Sequence, residues 1–128
     1  MSLSETIDVP FKQSKLTFDG ARHLLSITDA DRLIVGILTR SGCPMDIAAE
    51  VSAHLIDAEL SGVESHGVMR VLQYHDQYQS GYLKGGISPI ISKDELGRVY
   101  IDGQGGIGIP AMSLAIKTLA DKVSSEGL

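Results

Sequence analysis

Apolar residues recur at helical spacing in four stretches of this chain, and a short β-like section separates the third from the fourth. Ala30, Leu33, Ile34, Ile37 and Leu38 follow the i, i+3, i+4, i+7, i+8 pattern of one helix face. Thr28 or Asp29 is placed to cap that helix and Gly42 to end it, and Pro44 fits the first turn of the next. In the second helix Ile47, Val51, Leu55 and Ala58 form an apolar stripe. Asp46, Glu50, Asp57 and Glu59 read as its solvated side, and Gly62 marks its end. The third helix is predicted from about Ser65 or His66 to Tyr78, with Val68, Val71, Leu72 and His75 inward, and stops before Gly81. Three such segments with short loops can form a helical bundle.

The β section is brief. Ile87–Ser92 and Arg98–Ile101 flank Asp94-Glu95-Leu96-Gly97, which predicts a hairpin whose turn ends in glycine. A last helix carries Met112, Ala115, Ile116, Leu119, Ala120 and Val123 on one face, with Gly127 just past its end. The pattern therefore predicts an α+β chain: a polar leader over 1–27 with one short strand near Lys15–Phe18, a helical section over 28–81, and a hairpin plus helix over 86–128.

Composition narrows the function. At 128 residues and 43% hydrophobic, the chain is sized for one domain with a core. A net charge of −5 with no basic stripe argues against nucleic-acid binding. Six aromatic residues and no tryptophan leave little for stacking bases. Cys43, the single cysteine, cannot form an internal disulfide, which suits a reducing, cytoplasmic location and excludes a cysteine-rich zinc site. No apolar run approaches a membrane span, and Met1–Lys15 lacks the order of a signal peptide. The four histidines show no metal-binding spacing, so no metal is expected.

The chemistry concentrates in Glu64-Ser65-His66-Gly67-Val68-Met69-Arg70. If His66 to Arg70 is helical, the imidazole and the guanidinium are spaced i,i+4 on one face. A helix start there offers free N–H groups that favour an anion. A titratable imidazole beside a carboxylate-binding arginine suits proton transfer to a small oxo or hydroxy acid. The plainer reading of the same residues is that Ser65 caps a helix, His66 sits in its first turn and Arg70 is solvated.

The motif closes the phrase Asp57-Ala58-Glu59-Leu60-Ser61-Gly62-Val63-Glu64-Ser65-His66-Gly67-Val68-Met69-Arg70. It is followed by Tyr74, Gly81, Gly85-Gly86-Ile87-Ser88-Pro89 and Ile101-Asp102-Gly103-Gln104-Gly105-Gly106-Ile107-Gly108. In that order these residues resemble the N-terminal part of the malate/L-lactate dehydrogenase family of NAD(P)-dependent 2-oxoacid reductases, which is distinct from the Rossmann-type enzymes. The resemblance runs from about Leu24 to Leu128 and covers roughly the first third of a family member. It implies an oxidoreductase interconverting a small 2-hydroxy acid and 2-oxo acid with NAD or NADP, in a homodimer. His66 would be the proton donor and acceptor, Ser65 part of its hydrogen-bonded relay, and Arg70 the clamp on the substrate carboxylate. The cofactor contacts and a further acidic relay residue would lie beyond Leu128, so the chain is expected to be a fragment, or the product of a truncated gene, inactive alone. Ser61 stands where many relatives carry an arginine, which bears on substrate preference.

Two alternatives belong to other classes. Gly103, Gly105 and Gly108 match G-x-G-x-x-G between a strand and a helix, the outline of a dinucleotide-binding turn. Against it, Pro110 removes an N–H from the helix start, and Asp121 and Glu126 fall on the last helix rather than at a strand end. The competing account is that these glycines supply positive φ and close helix packing. The other alternative is a small non-catalytic α+β module in which Ser65, His66 and Arg70 hold an anion. Of the remaining histidines, His23 is expected to be exposed and His54 to be partly buried beside Val51 and Leu55. His75 is placed to hydrogen-bond across the bundle.

Overall fold

The computed structural model describes residues 23–127. Helix α1 spans Ile27–Arg40, α2 Met45–Leu60 and α3 Arg70–Gln79, with a 3-10 turn over Glu64–His66. The antiparallel strands β1 (Ile90–Glu95) and β2 (Arg98–Asp102) follow, then α4 (Gly108–Glu126). The α+β class and the order of elements are as the sequence predicts. The strand expected near Lys15–Phe18 lies outside the described residues.

The core lies where α1 and α2 pack. Ile34 and Leu38 of α1 share it with Ile47, Val51 and Leu55 of α2, and Val71, Leu83 and Ile107 close it from later elements. Each fully buried leucine or isoleucine contributes about 1.5–3 kcal/mol by leaving water. Leu33, expected on the buried face of α1, is 41% exposed. Ser52 is fully buried in α2, and its hydroxyl donates to Asp31 Oδ1 of α1 at 2.7 Å, so the joint has one polar tie inside it.

Local chemistry moves several boundaries. Ser26, not Thr28 or Asp29, caps α1: it is extended at φ −66°, ψ 152°, and its Oγ accepts the Asp29 N–H at 3.1 Å while donating to the Asp29 carboxylate at 2.8 Å. Gly42, at φ +102°, turns the chain after α1, and Pro44 stands just before the first residue of α2. Strand β1 starts at Ile90 because Pro89 has no N–H for the ladder. It runs on through Asp94 and Glu95, leaving Leu96-Gly97 as the turn. Ser92 is looped out between the Ile91–Ile101 and Lys93–Tyr100 pairs and donates its hydroxyl to Tyr100 O.

The C-terminal half of α4 is pinned to the hairpin by charge. Lys122 Nζ reaches Asp94 Oδ1 at 2.6 Å, Glu126 Oε1 at 2.8 Å and Glu95 O at 3.1 Å, and Glu126 Oε2 accepts the Gly97 N–H at 3.3 Å. The other side of α4 is bare. Met112, Ile116, Leu119 and Val123 form a stripe that is 63%, 62%, 60% and 44% exposed, so the apolar face read from the sequence is the face the described chain leaves uncovered.

Two outcomes follow. Lys122 and the Gly97 N–H hold the Glu126 carboxyl below its ordinary 4.5, so this clamp is complete above that value and is lost as pH falls through the lower, folded value. Hydrogen bonds and ion pairs to Asp94 and Glu126 raise Lys122 above 10.5, so its share is present below 10.5 and is lost as pH rises through the folded value. The clamp's contribution to stability, read as the difference in urea unfolding between wild type and Lys122→Met at each pH, should therefore hold a plateau between 4.5 and 10.5 and shrink outside it; in Lys122→Met the alkaline edge should vanish and the acid edge weaken, since the Gly97 N–H still holds Glu126. The α4 stripe should drive self-association, seen as concentration-dependent sedimentation that Leu119→Lys suppresses. A wild-type chain that stays monomeric at high concentration rules this out.

Candidate active site

Ser65, His66 and Arg70 do not share a helix face. The predicted third helix starts four to five residues late, at Arg70. Residues 64–66 form their own 3-10 turn, and Gly67-Val68-Met69 makes a second turn before α3. The physical cause is Gly67, whose ψ of −149° breaks the helical path. With Val68 outside the helix, the buried stripe of α3 moves to Val71, Tyr74 and Tyr78, and Leu72 is 61% exposed rather than inward.

The turn brings Ser65 and His66 together directly. Ser65 Oγ lies 3.0 Å from His66 Nδ1, and both side chains are exposed. That bond occupies one ring nitrogen and leaves Nε2 for chemistry. Arg70, the first residue of α3, is half-buried, and its guanidinium donates to the Gln73 side-chain carbonyl, one of several bonds its five N–H groups can make. Its charge also reaches Tyr74. Burial pushes the Tyr74 phenol up, and Arg70 opposes part of that rise.

Most of the helix-start amides expected to favour an anion are already bonded within the chain. His66 N–H goes to Val63 O at 2.9 Å, Gly67 N–H to Glu64 O at 3.0 Å and Arg70 N–H to Gly67 O at 3.0 Å. Val71 N–H goes to Val68 O at 3.1 Å, and Val68 N–H goes to the Glu59 carboxylate at 2.8 Å. An anion at this place would be bound by side chains.

Glu59 is the residue that sequence reasoning missed. It was expected on the solvated side of α2, and it is half-buried beneath the turn instead. Its Oε2 lies 2.0 Å from where a Cβ on Gly67 would stand. Helical periodicity alone does not reveal this, since the partner arrives through a loop. The other corrections are smaller. His54 is exposed, because α2 turns it away from α1. His23 is exposed as expected. His75 makes the cross-bundle bond, its Nδ1 lying 2.8 Å from Ser41 Oγ at the end of α1. Among the described residues no group of acidic, histidine or cysteine side chains could hold a metal, and no helix is long and apolar enough to cross a membrane.

The glycine loop departs from the outline of a dinucleotide-binding turn. The Lys84 side chain runs beside Gly105, its carbons 3.2–3.4 Å from where a Cβ would stand. Lys84 N–H bonds Gly105 O at 2.9 Å, and Pro110 sits buried in the first turn of α4. Of the three motif glycines only Gly105 has positive φ, at +83°, and Gly108 has open space where a Cβ would go.

The sequence profile of the malate/L-lactate dehydrogenase family matches residues 25–128. The chain belongs to the malate/L-lactate dehydrogenase family. It is 41% identical to a malate dehydrogenase of Pyrococcus horikoshii, over 71% of this chain and 27% of that protein. It is 32% identical to a Δ1-pyrroline-2-carboxylate/Δ1-piperideine-2-carboxylate reductase of Pseudomonas putida, over 79% of this chain and 30% of that one. Its fold is similar to the solved Pyrococcus horikoshii malate dehydrogenase, with a TM-score of 0.71, 30% identity, and coverage of 77% and 28%. It is also similar to the sulfolactate dehydrogenase of Methanocaldococcus jannaschii, with a TM-score of 0.73, 27% identity, and coverage of 78% and 29%. The chain thus spans less than a third of the length of these family members.

Two glycines in this family chain should respond oppositely to alanine. At Gly67 the added methyl meets the Glu59 carboxylate, and urea unfolding should show a loss of about 1–3 kcal/mol. At Gly36, inside α1 with nothing within 4 Å, Gly36→Ala should stabilise by about 0.5–1 kcal/mol. Equal effects at both positions would contradict the packing described for Gly67.

Proposed function

We propose that this chain carries the proton-transfer wall of an NAD(P)-dependent reductase acting on small 2-oxo or cyclic imino acids, with His66 as proton donor and acceptor. The observation that carries the reading is the 3.0 Å Ser65 Oγ–His66 Nδ1 bond beside an exposed imidazole, four residues before Arg70. A family of dehydrogenases and reductases supplies the reaction class. The names of the relatives, malate dehydrogenase, sulfolactate dehydrogenase and a cyclic imino-acid reductase, share a carboxylate next to the reacting carbon.

Each residue has a task that its geometry supports. Arg70 has N–H groups beyond the one given to Gln73, and a planar guanidinium can fork a carboxylate and hold the neighbouring carbonyl or imine in place. His66, charged, gives the proton on Nε2 to the substrate oxygen or nitrogen as the carbon is reduced. Its Nδ1–H then remains, donating to Ser65 Oγ. In the reverse direction Nε2 takes the proton back and the same bond steadies the imidazolium. The nicotinamide supplies hydride. The departures of the glycine loop from a dinucleotide-binding turn support assigning the cofactor's contacts to the length that relatives have beyond the matched segment.

The 128-residue chain should therefore show no NADH or NADPH oxidation with pyruvate, oxaloacetate or Δ1-piperideine-2-carboxylate. Turnover by this chain alone sinks the assignment of the cofactor contacts elsewhere. The residue roles are tested in a chimera in which residues 25–128 replace the matching segment of the Pyrococcus horikoshii malate dehydrogenase. There His66→Ala should lower kcat about 10²–10⁴-fold with cofactor affinity unchanged. Arg70→Ala should chiefly raise KM, and Arg70→Lys should restore little of it. Near-normal kcat in the His66→Ala chimera removes the proton-donor role.

A further inference from the structure

We propose that Glu59 is a positioning residue that fixes the imidazole of His66, by clasping the His66 segment at both of its ends. The proposal rests on the assignment of His66 as the proton-transfer group.

Glu59 lies in the last turn of α2, where the chain reverses through Ser61 and Gly62. Its backbone carbonyl accepts the Gly62 N–H at 3.0 Å, at the start of the returning segment. Its side chain then reaches the far end of the same segment, and Oε2 accepts the Val68 N–H at 2.8 Å. One residue therefore closes residues 62–68 into a loop, and Ser65 and His66 sit at the middle of it. Ala58 adds a third fastening by accepting the Val63 N–H at 2.9 Å.

Steric evidence shows how close this clasp is. A Cβ on Gly67 would lie 2.0 Å from Glu59 Oε2, 2.9 Å from Cδ and 3.1 Å from Cβ. The carboxylate thus lies against the α-carbon that follows His66, in the space any larger residue would need. Glycine at position 67 and glutamate at position 59 form one device. The backbone on both sides of His66 is tied down, and the Ser65 hydroxyl on that same backbone holds Nδ1 at 3.0 Å, so the clasp fixes the ring through Ser65. A bond from an amide to a carboxylate is stronger than one between neutral groups, and this one is half-buried beneath the turn.

Aspartate and glutamine separate length from charge. Aspartate keeps the charge but is one methylene short of Val68; glutamine keeps the reach and an acceptor oxygen but loses the charge. The test is NMR of the 15N-labelled chain: exchange of the Val68 amide, and the ring-nitrogen shifts of His66 that report its tautomer, assigned with His66→Gln. Glu59→Asp and Glu59→Ala should speed Val68 exchange about tenfold or more. Both should move the His66 ring-nitrogen shifts to those of a freely averaging imidazole, while His75 keeps its own. Glu59→Gln should retain the wild-type pattern at both residues. If Glu59→Ala does not fold, the comparison of Glu59→Asp with Glu59→Gln carries the test. Wild-type His66 shifts in Glu59→Asp, or Val68 exchange unaltered by it, overturns the proposal. These readouts involve no turnover, so a failure here is separate from a failure of His66 in the kinetic experiment.

Discussion

The packing of α1 on α2 is the constraint from which the site takes its place. Ile34 and Leu38 meet Ile47, Val51 and Leu55 in a core those residues share. At that joint the buried Ser52 hydroxyl donates to Asp31 of α1, a polar tie between the two helices beside the apolar contacts. With α2 held, its last turn is a fixed platform, and the return of the chain over that platform sets where His66 can be. The distance from core to chemistry is only one helical turn, from Leu55 to Glu59.

What the sequence made legible follows from periodicity. The α1 and α2 stripes, the hairpin and the last helix come from spacings of 3.6 or from strand runs ending at glycine; the α1–α2 core agrees with its stripes except at Leu33, while the stripe of α4 lies uncovered. The exceptions each have a local cause. Pro89 delays β1, Ser26 is an extended residue that caps earlier than its neighbours, and the break at Gly67 removes nearly a turn and a half from the predicted third helix. Glycine permits many conformations, so its presence in a pattern announces a change of path without saying which.

The site was legible in its residue types and not in its geometry. Ser65, His66 and Arg70 stand out by chemistry and by family phrase, and of the three the structure joins Ser65 to His66 by a hydrogen bond. The relation of His66 to Arg70 depended on a helix that is not there. Glu59 was hidden for the opposite reason. Its place in the helical pattern is that of an ordinary surface carboxylate, and only a chain reversal brings its partner into reach.

The bond between Ser41 and His75 has a separate consequence for how the bundle tolerates proton movement nearby. The Ser41 hydroxyl already donates to Ile37 O at 2.8 Å, so towards His75 it can only accept. His75 must then carry hydrogen on Nδ1 when neutral. A charged imidazole carries hydrogen on that nitrogen as well. Gain or loss of a proton at Nε2 leaves the bond intact, and the tie from the end of α1 to α3 is indifferent to the charge on its own histidine.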